Sequence, residues 1–165
     1  MTESGSARGG REGREYPRRP VVGVGGVVVR DGAVLLVKRA VEPLRGRWAL
    51  PGGAVELGET LEEAVVRELK EETNLTVRVL GLVEAFDRIT RDPDGRARYH
   101  YVLLDFLCEP LDSNPEAGSD VDAVAWARPE EFAVYELGPH AQRVCEKALA
   151  MARTRPMGPV STKED

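Results

Sequence analysis

The stretch "GAVELGETLEEAVVRELKEETNL", residues 53–75, decides how this chain folds and what its chemistry is. Thr60 followed three residues later by Glu63 forms the sequence pattern of a capping box, which predicts a helix that begins there. On a helical wheel the apolar residues of this segment fall on one face. The carboxylates of Glu68 and Glu72 fall inside that apolar face, where a helix normally buries hydrocarbon.

Two inward carboxylates on neighbouring turns require compensation. Glu68 and Glu72 are four residues apart, so their Cβ atoms are roughly 5–6 Å apart on a helix. At an effective dielectric constant of about 20, two such charges repel by about 3 kcal/mol, and burial adds a desolvation cost. Protonation or a bound cation would relieve this repulsion, and Mg²⁺ prefers oxygen ligands. An ordinary solvated acidic helix is the alternative interpretation.

The residues before and within the helix form a longer pattern. Pro51, Gly52 and Gly53 permit a turn and a close backbone approach, so a carbonyl oxygen there would face the carboxylates. The pattern resembles the Nudix box of the Nudix hydrolase family over residues 53–75. Its fixed positions in this chain are Gly53, Glu59, Arg67, Glu68, Leu69, Glu71, Glu72 and Leu75.

One position departs from the family pattern, because Asn74 stands where the family has glycine. This residue follows the predicted helix, where a left-handed backbone conformation is common. Asparagine tolerates that conformation better than other residues with a side chain. The departure therefore predicts a small cost in stability and little effect on chemistry.

The resemblance implies an enzyme that hydrolyses a nucleoside diphosphate linked to another group, using Mg²⁺ or Mn²⁺. It implies that Glu68, Glu72 and the Gly53 carbonyl are the main metal ligands, and that Glu71 binds a further metal or acts through water. It also implies that Glu68, supported by Glu71, is the general base. Pairing of Glu59 with Arg67 would hold the loop against the helix.

Residues outside the box are candidates for substrate binding. Arg39 ends the second predicted strand, where some family members place an arginine on substrate phosphate, and a guanidinium suits that task. Lys38 competes for the role, and a solvated cation is the simpler interpretation. Tyr99 or Tyr101 would stack on a base or ribose, although core packing is favoured. The family often supplies one more acid from a later loop, and the candidates here are Glu116, Asp120 and Asp122.

The resemblance leaves the substrate open. ADP-ribose or another nucleotide sugar is slightly preferred, followed by normal or oxidised nucleoside triphosphates. An isomerase on the same fold would need a pocket cysteine, which Cys108 fits poorly. A catalytically silent nucleotide sensor would normally have lost box acids, and this chain keeps them all.

Net charge, apolar runs and cysteine spacing indicate which partners and which cellular location to expect. The net charge of −5 argues against a protein that coats nucleic acid. The longest apolar run, residues 21–29, is too short to cross a membrane, and no signal-peptide core is present. Cys108 and Cys145 show no paired spacing, which favours reduced thiols in the cytoplasm. Oligomeric state stays open, with a homodimer as one option.

The chain divides into a body and two tails. Residues 1–20 have five Arg and three Glu and almost no apolar content, so we expect a disordered tail, with a weak arm for an anionic partner as the alternative. Residues 21–151 form the predicted Nudix domain, and residues 152–165 a flexible C-terminal tail. The predicted order of strands and helices suits a mixed β-sheet with helices packed on it. The resemblance implies an α+β fold of the Nudix type, an α/β/α sandwich with a mixed β-sheet and the catalytic loop-helix-loop.

Overall fold

The fold is a mixed sheet with a helix packed on each face, seen in a computed structural model that describes residues 14–42 and 44–155. The strands are β1 (Val21–Arg30), β2 (Ala33–Arg39), β3 (Trp48–Ala49), β4 (Gly52–Ala54), β5 (Val77–Arg91), β6 (Ala97–Pro110) and β7 (Val121–Ala127). The helices are α1 (Leu61–Thr73) and α2 (Pro139–Thr154), with a 3₁₀ helix at Pro129–Glu131. No helix in the described ranges is long and apolar enough to cross a membrane.

Strand β1 lies at the centre of the sheet. It runs parallel to β6 along most of its length, and β6 pairs antiparallel with β5. On its other edge β1 pairs antiparallel first with β4 and then with β2, which in turn pairs with β3 and β7. This arrangement brings the short strand β4, and the loop that follows it, next to the middle of the sheet. The predicted mixed sheet and α+β class are confirmed.

Alternate residues of the central strands point into two separate hydrophobic clusters. Val24 and Val28 face α1, where they pack with Val65 and Leu69. Residues of the other parity, such as Val27, face α2 and pack with its buried side chains. The sheet therefore has apolar residues on both faces, which is why its strands read as continuous hydrophobic runs. The result is the three-layer arrangement that the sequence predicts.

Two β-rich runs on either side of Asp31 and Gly32 predict a hairpin, and the structure contains it. Asp31 and Gly32 both have positive φ angles, 50° and 75°, as a two-residue type I′ turn requires. Two elements differ from what the sequence predicts. The apolar run of residues 76–86 predicts a strand, but β5 continues to Arg91, because β6 offers it a paired partner along the whole hairpin. Pro129 at a plausible first helical position predicts a short helix near residues 129–134, and the structure has only the 3₁₀ segment Pro129–Glu131.

The structure describes contacts near both ends of the predicted domain. Residues 1–13 and 156–165 lie outside the described residues, but the described part of the N-terminal segment is attached to the β5–β6 hairpin. The Tyr16 hydroxyl donates to Asp92 at 2.9 Å, and the Tyr16 amide donates to the Arg98 carbonyl at 2.7 Å. These polar contacts anchor Tyr16, which lies in the segment whose low apolar content predicts a disordered tail. At the other end, α2 continues past the expected boundary at residue 151 to Thr154.

Candidate active site

Helix α1 begins and ends where the sequence pattern places its caps. The Thr60 hydroxyl accepts from the Glu63 amide at 3.1 Å, and the Glu63 carboxylate accepts from the Thr60 amide at 2.8 Å. Asn74 follows the helix with φ 60° and ψ 3°, the left-handed conformation expected there. The caps fix where the helix begins and ends, and the packing of Val65 and Leu69 in the core decides which carboxylates point inward.

The inward position of Glu68 and Glu72 agrees with the wheel. The Glu68 side chain is only 14% exposed, and Glu72 is partly buried, whereas Glu62, Glu63 and Lys70 are exposed. Both inward acids lie against β4 because this strand consists of small residues. A Cβ atom on Gly53 would overlap the carboxylate of Glu68, and the amide of Gly52 donates to Glu72 at 3.0 Å. The two glycines thus make room for the acids and supply one hydrogen bond.

Burial makes these carboxylates poor places for negative charge. Desolvation raises the pKa of Glu72 to about 7, although the Gly52 amide and the Arg39 cation work against that rise. Desolvation also raises the pKa of Glu68, and the adjacent Arg67 opposes it. Charge repulsion adds to both shifts, because Glu71 raises the pKa of Glu68, and Glu68 and Asp120 raise that of Glu72. A dication at this position would relieve both the repulsion and the desolvation cost.

Arg67 joins the loop to the helix. Its Nε and Nη2 donate to the two oxygens of Glu59 at 2.6 and 2.9 Å, and Nη2 also donates to the Ala54 carbonyl at 3.1 Å. Nη1 donates to Glu68 at 2.8 Å. Hydrogen bonding to Arg67 lowers the pKa of Glu59, so this carboxylate stays ionised. The structure therefore contains the predicted Glu59–Arg67 pair and adds Glu68 to it.

Glu71 is placed differently from the two inward acids. Its side chain is 51% exposed, and its nearest charged partner is Arg67 at 3.4 Å. It is more exposed than either Arg67 or Glu68. The structure thus brings Glu68 and Glu72 against Gly52 and Gly53 and leaves Glu71 exposed.

Two charged side chains outside the box act on the carboxyl of Glu72. The Arg39 cation lowers the pKa of Glu72, and the Asp120 carboxylate raises it, so both charges lie nearby. Arg39 and Asp120 are adjacent, because the amide of Ala40 donates to the Asp120 carbonyl at 3.0 Å. Of the three candidate acids in the 110–122 segment, Asp120 is the one whose charge acts on Glu72. Glu116 meets α1 through its backbone, and Asp122 is exposed on β7.

Tyr99 does not lie beside the acids. It precedes Asp105 by six residues on β6, and Asp105 is level with the Gly25–Gly52 pair, so the separation along the strand is roughly 20 Å. Its ring is nearly parallel to that of Tyr101, with centroids 6.5 Å apart. A role for Tyr99 in substrate binding stays a prediction.

The residues at β4 and α1 fit a divalent cation by their chemistry. Two carboxylates and the backbone of Gly53 are hard oxygen donors, and the missing Cβ of Gly53 leaves space for the Glu68 carboxylate. Among residues 14–42 and 44–155, no group of three or more acidic, histidine or cysteine side chains is already gathered for a metal ion. Arg67 donates a hydrogen bond to Glu68, and the Gly52 amide donates one to Glu72.

One polar pair near this site was not selected from the sequence. Asp105 is a lone acid inside the apolar run "VLLDFLC", and the structure buries it next to His140 at the start of α2. The acid in an otherwise apolar strand was the sequence feature that could have identified Asp105. No local sequence feature identifies His140, because Asp105 lies on a different element.

A capped helix that turns two glutamates toward a Gly-Gly strand, on a mixed sheet between two helices, defines the Nudix class. Residues 17–147 match the sequence profile of the NUDIX domain, and the chain belongs to the Nudix hydrolase family. It is 44% identical over 101 residues to an ADP-ribose pyrophosphatase of Methanocaldococcus jannaschii, a match that covers 61% of this chain and 57% of that relative. This chain therefore matches less than two thirds of that relative's length.

Two further proteins are similar over a larger share of their own length. The nucleoside triphosphatase NudI of Salmonella arizonae is 36% identical over 121 residues, which cover 67% of this chain and 84% of the relative. The crystal structure of a MutT NUDIX hydrolase from Burkholderia pseudomallei is 32% identical, with a TM-score of 0.66. That comparison covers 82% of this chain and 99% of the other.

Proposed function

We propose that this chain hydrolyses the phosphoanhydride bond of a nucleoside diphosphate linked to another group, with Mg²⁺ or Mn²⁺ as cofactor. ADP-ribose or another nucleotide sugar is the preferred substrate. The observation that carries the proposal is the inward pair Glu68 and Glu72 against the two glycines of β4. Burying two like charges destabilises a fold unless protonation or a cation compensates them, and a dication would also serve the proposed reaction.

The cofactor would be held by Glu68, Glu72 and the Gly53 carbonyl, with Glu71 and Asp120 as further oxygen donors. When bound, a dication offsets the charge of the diphosphate and polarises its phosphorus–oxygen bonds. The acidic site would repel this anionic substrate without such an ion. The chemistry of the donor set therefore explains how an acidic cleft accepts a diphosphate.

Three side chains have separate roles in the proposed reaction. Glu68 accepts a proton from the attacking water, and its raised pKa brings the carboxyl closer to the range in which a general base is effective. Arg67 keeps that carboxylate oriented and ties the loop to α1 through Glu59. Arg39, whose charge reaches Glu72, would contact a phosphate oxygen of the substrate.

The experiment is a panel of ADP-ribose, nucleotide sugars and nucleoside triphosphates, incubated with Mg²⁺, Mn²⁺ or EDTA. We expect hydrolysis of a diphosphate derivative with metal and none in EDTA, with phosphorus NMR to identify the products. Glu72→Gln should nearly abolish turnover while circular dichroism and melting temperature show an intact fold. Glu62→Gln is the matched control, because Glu62 is an exposed acid on the same helix. Near-normal activity of Glu72→Gln would disprove the metal assignment.

Nucleoside triphosphates are the second candidate substrate. The similarity to NudI supports this alternative, since the match covers 84% of that relative and its name is that of a nucleoside triphosphatase. The two substrate classes give different products, because a triphosphate releases pyrophosphate and a nucleotide sugar does not. Hydrolysis of no member of the panel would instead favour a nucleotide sensor.

The location and assembly belong to the same proposal. Cys108 and Cys145 are both free and buried, which suits the reducing cytoplasm. A small nucleotide is the proposed partner, with no nucleic acid and no membrane, and a homodimer is the assembly to test. Sedimentation at several concentrations distinguishes a monomer from a dimer.

A further inference from the structure

The N-terminal segment 14–20 is held by the tip of the β5–β6 hairpin. The segment bends at Tyr16, whose φ angle is 50°. Besides the two hydrogen bonds of Tyr16 described above, Nε of Arg98 donates to the Glu15 carboxylate at 2.7 Å, and the Arg96 guanidinium lies 4.6 Å from the centre of the Tyr16 ring. These contacts fix the bend and therefore the direction of the residues on either side of it.

The same segment continues into β1 beside the loop that opens the box. The Val55 amide donates to the Val22 carbonyl at 3.0 Å, close to the start of β1. Val55 follows directly after β4, and a Cβ atom on Gly53 of that strand would overlap the Glu68 carboxylate. The segment therefore joins the sheet next to the part of the site that carries Glu68.

Arg14 differs from the other arginines of this segment. It is half-buried, whereas Arg18 and Arg19 are exposed. Burial raises the pKa of Glu68, and the Arg14 cation opposes that rise together with Arg67, so the charge of Arg14 lies near this carboxylate. In the part of the chain that the structure describes, the Arg14 guanidinium makes no hydrogen bond or ion pair, which leaves its donors available to a ligand.

Cations lie near both inward acids of α1. Arg14 acts on Glu68, and Arg39 acts on Glu72. The third cation, Arg67, already donates to Glu68 and to the loop before the helix. A positive charge beside a bound dication opposes the binding of that ion but attracts the anion that the ion recruits. Two guanidinium groups at this site suit the two phosphates of a diphosphate, because each can donate paired hydrogen bonds to phosphate oxygens.

We infer that Arg14 is a substrate-binding residue, whose guanidinium donates hydrogen bonds to a phosphate group of the nucleoside diphosphate at the box acids. Tyr16 is a positioning residue, because it holds the bend that directs Arg14 toward Glu68. The inference rests on the proposed function for the identity of the anion, and it deepens that function by assigning the N-terminal segment to the active site. This segment would then be the arm for an anionic partner that the sequence leaves as an alternative to a disordered tail.

The kinetic test follows hydrolysis of ADP-ribose with Mg²⁺ by the wild type, Arg14→Ala, Arg14→Lys and Arg18→Ala. Loss of a charged hydrogen bond to phosphate should raise KM for Arg14→Ala about ten- to hundred-fold, with a far smaller change in kcat. Arg14→Lys keeps the charge but lacks the planar fork, so its KM should lie between those of the wild type and Arg14→Ala. Arg18→Ala is the matched control, because Arg18 is an exposed arginine of the same segment, and it should keep the wild-type KM.

Calorimetry separates substrate binding from metal binding without turnover. The first probe is α,β-methylene-ADP with Mg²⁺ present, in which a methylene group replaces the bridging oxygen, and the second probe is Mg²⁺ alone. Arg14→Ala should bind the analogue about ten- to hundred-fold more weakly. It should bind Mg²⁺ as tightly as the wild type or more tightly, because a neighbouring cation is removed. Tyr16→Phe should weaken analogue binding in the wild type and have no further effect in Arg14→Ala.

Two results would overturn the inference. One is equal affinity for the analogue in the wild type and a folded Arg14→Ala, and the other is a parallel loss of affinity for Mg²⁺ and the analogue, which indicates a structural role. Melting temperatures show whether the variants are folded, and Arg14→Lys provides the comparison should Arg14→Ala not fold. Analogue binding that depends on Arg14, with no hydrolysis of any nucleotide by the wild type, would support the inference and refute the proposed hydrolysis alone.

Discussion

Replacing Asn74 by alanine tests whether the end of α1 tolerates a side chain only because that side chain is asparagine. Asn74 has φ 60°, a region that costs an ordinary L-residue about 1–2 kcal/mol and asparagine less. We expect Asn74→Ala to lower the free energy of unfolding by about 1 kcal/mol. For a chain of this length that corresponds to a fall in melting temperature of about 2–4 °C.

The glycine variant gives the complementary result. Asn74→Gly relieves the left-handed strain but adds about 0.4–1 kcal/mol of chain entropy to the unfolded state. The two effects oppose each other, so the free energy of unfolding should stay within about 0.5 kcal/mol of the wild type. Asn74 is exposed, so neither variant should alter metal-dependent turnover at a temperature where both are folded.

Urea unfolding at constant pH, followed by circular dichroism, measures the free energy of unfolding of all three proteins. Equal m-values would show that the variants differ in stability and not in the surface exposed on unfolding. Asn114→Ala is the control for the loss of an amide side chain, because Asn114 is exposed and lacks a positive φ angle. It should change stability by less than about 0.5 kcal/mol. An Asn74→Ala protein as stable as the wild type would refute the argument that the backbone conformation selects this residue.

Three further results are expected. Gly53→Ala places a Cβ against the Glu68 carboxylate, so metal affinity measured by calorimetry should fall sharply, and unchanged affinity would contradict the site. Thr60→Ala removes the cap hydrogen bond and should cost about 1 kcal/mol in urea unfolding. The pKa of Asp105 is raised from 3.8 to about 6, so its ionisation disfavours the fold as pH rises through that range. Asp105→Asn should therefore gain up to about 3 kcal/mol above pH 6 and nothing below pH 3.8, and an equal gain at both pH values would refute it.

Helix α1 and its acids were predictable because their signals are local. The capping box, the period of the apolar residues and the asparagine in the left-handed position all lie within residues 60–74. Each is decided by neighbours a few residues away, so the sequence carries the complete pattern. The pairing of Glu59 with Arg67 follows from the same segment once the helix is oriented.

The features that were missed depend on residues far apart in the chain. The Tyr16–Asp92 contact joins a charged N-terminal segment to the tip of a distant hairpin, and no local pattern predicts it. Asp105 and His140 meet only because β6 and the start of α2 are adjacent in space. The spacing of the acids in the 110–122 segment likewise gave no preference for Asp120, whose proximity to Glu72 is a tertiary effect.

The loop between β6 and β7 touches the backbone that carries the box acids. The amide of Gly118 donates to the carbonyl of Glu72 at 2.9 Å, and a Cβ on Gly118 would overlap the carbonyl of Glu71. For protein engineering, this exposed turn is therefore a poor point at which to graft an insertion or a tag. A displacement of Gly118 would move the Glu72 backbone and with it the carboxylate. The tip of the β5–β6 hairpin is remote from the acids and is a better point for an insertion.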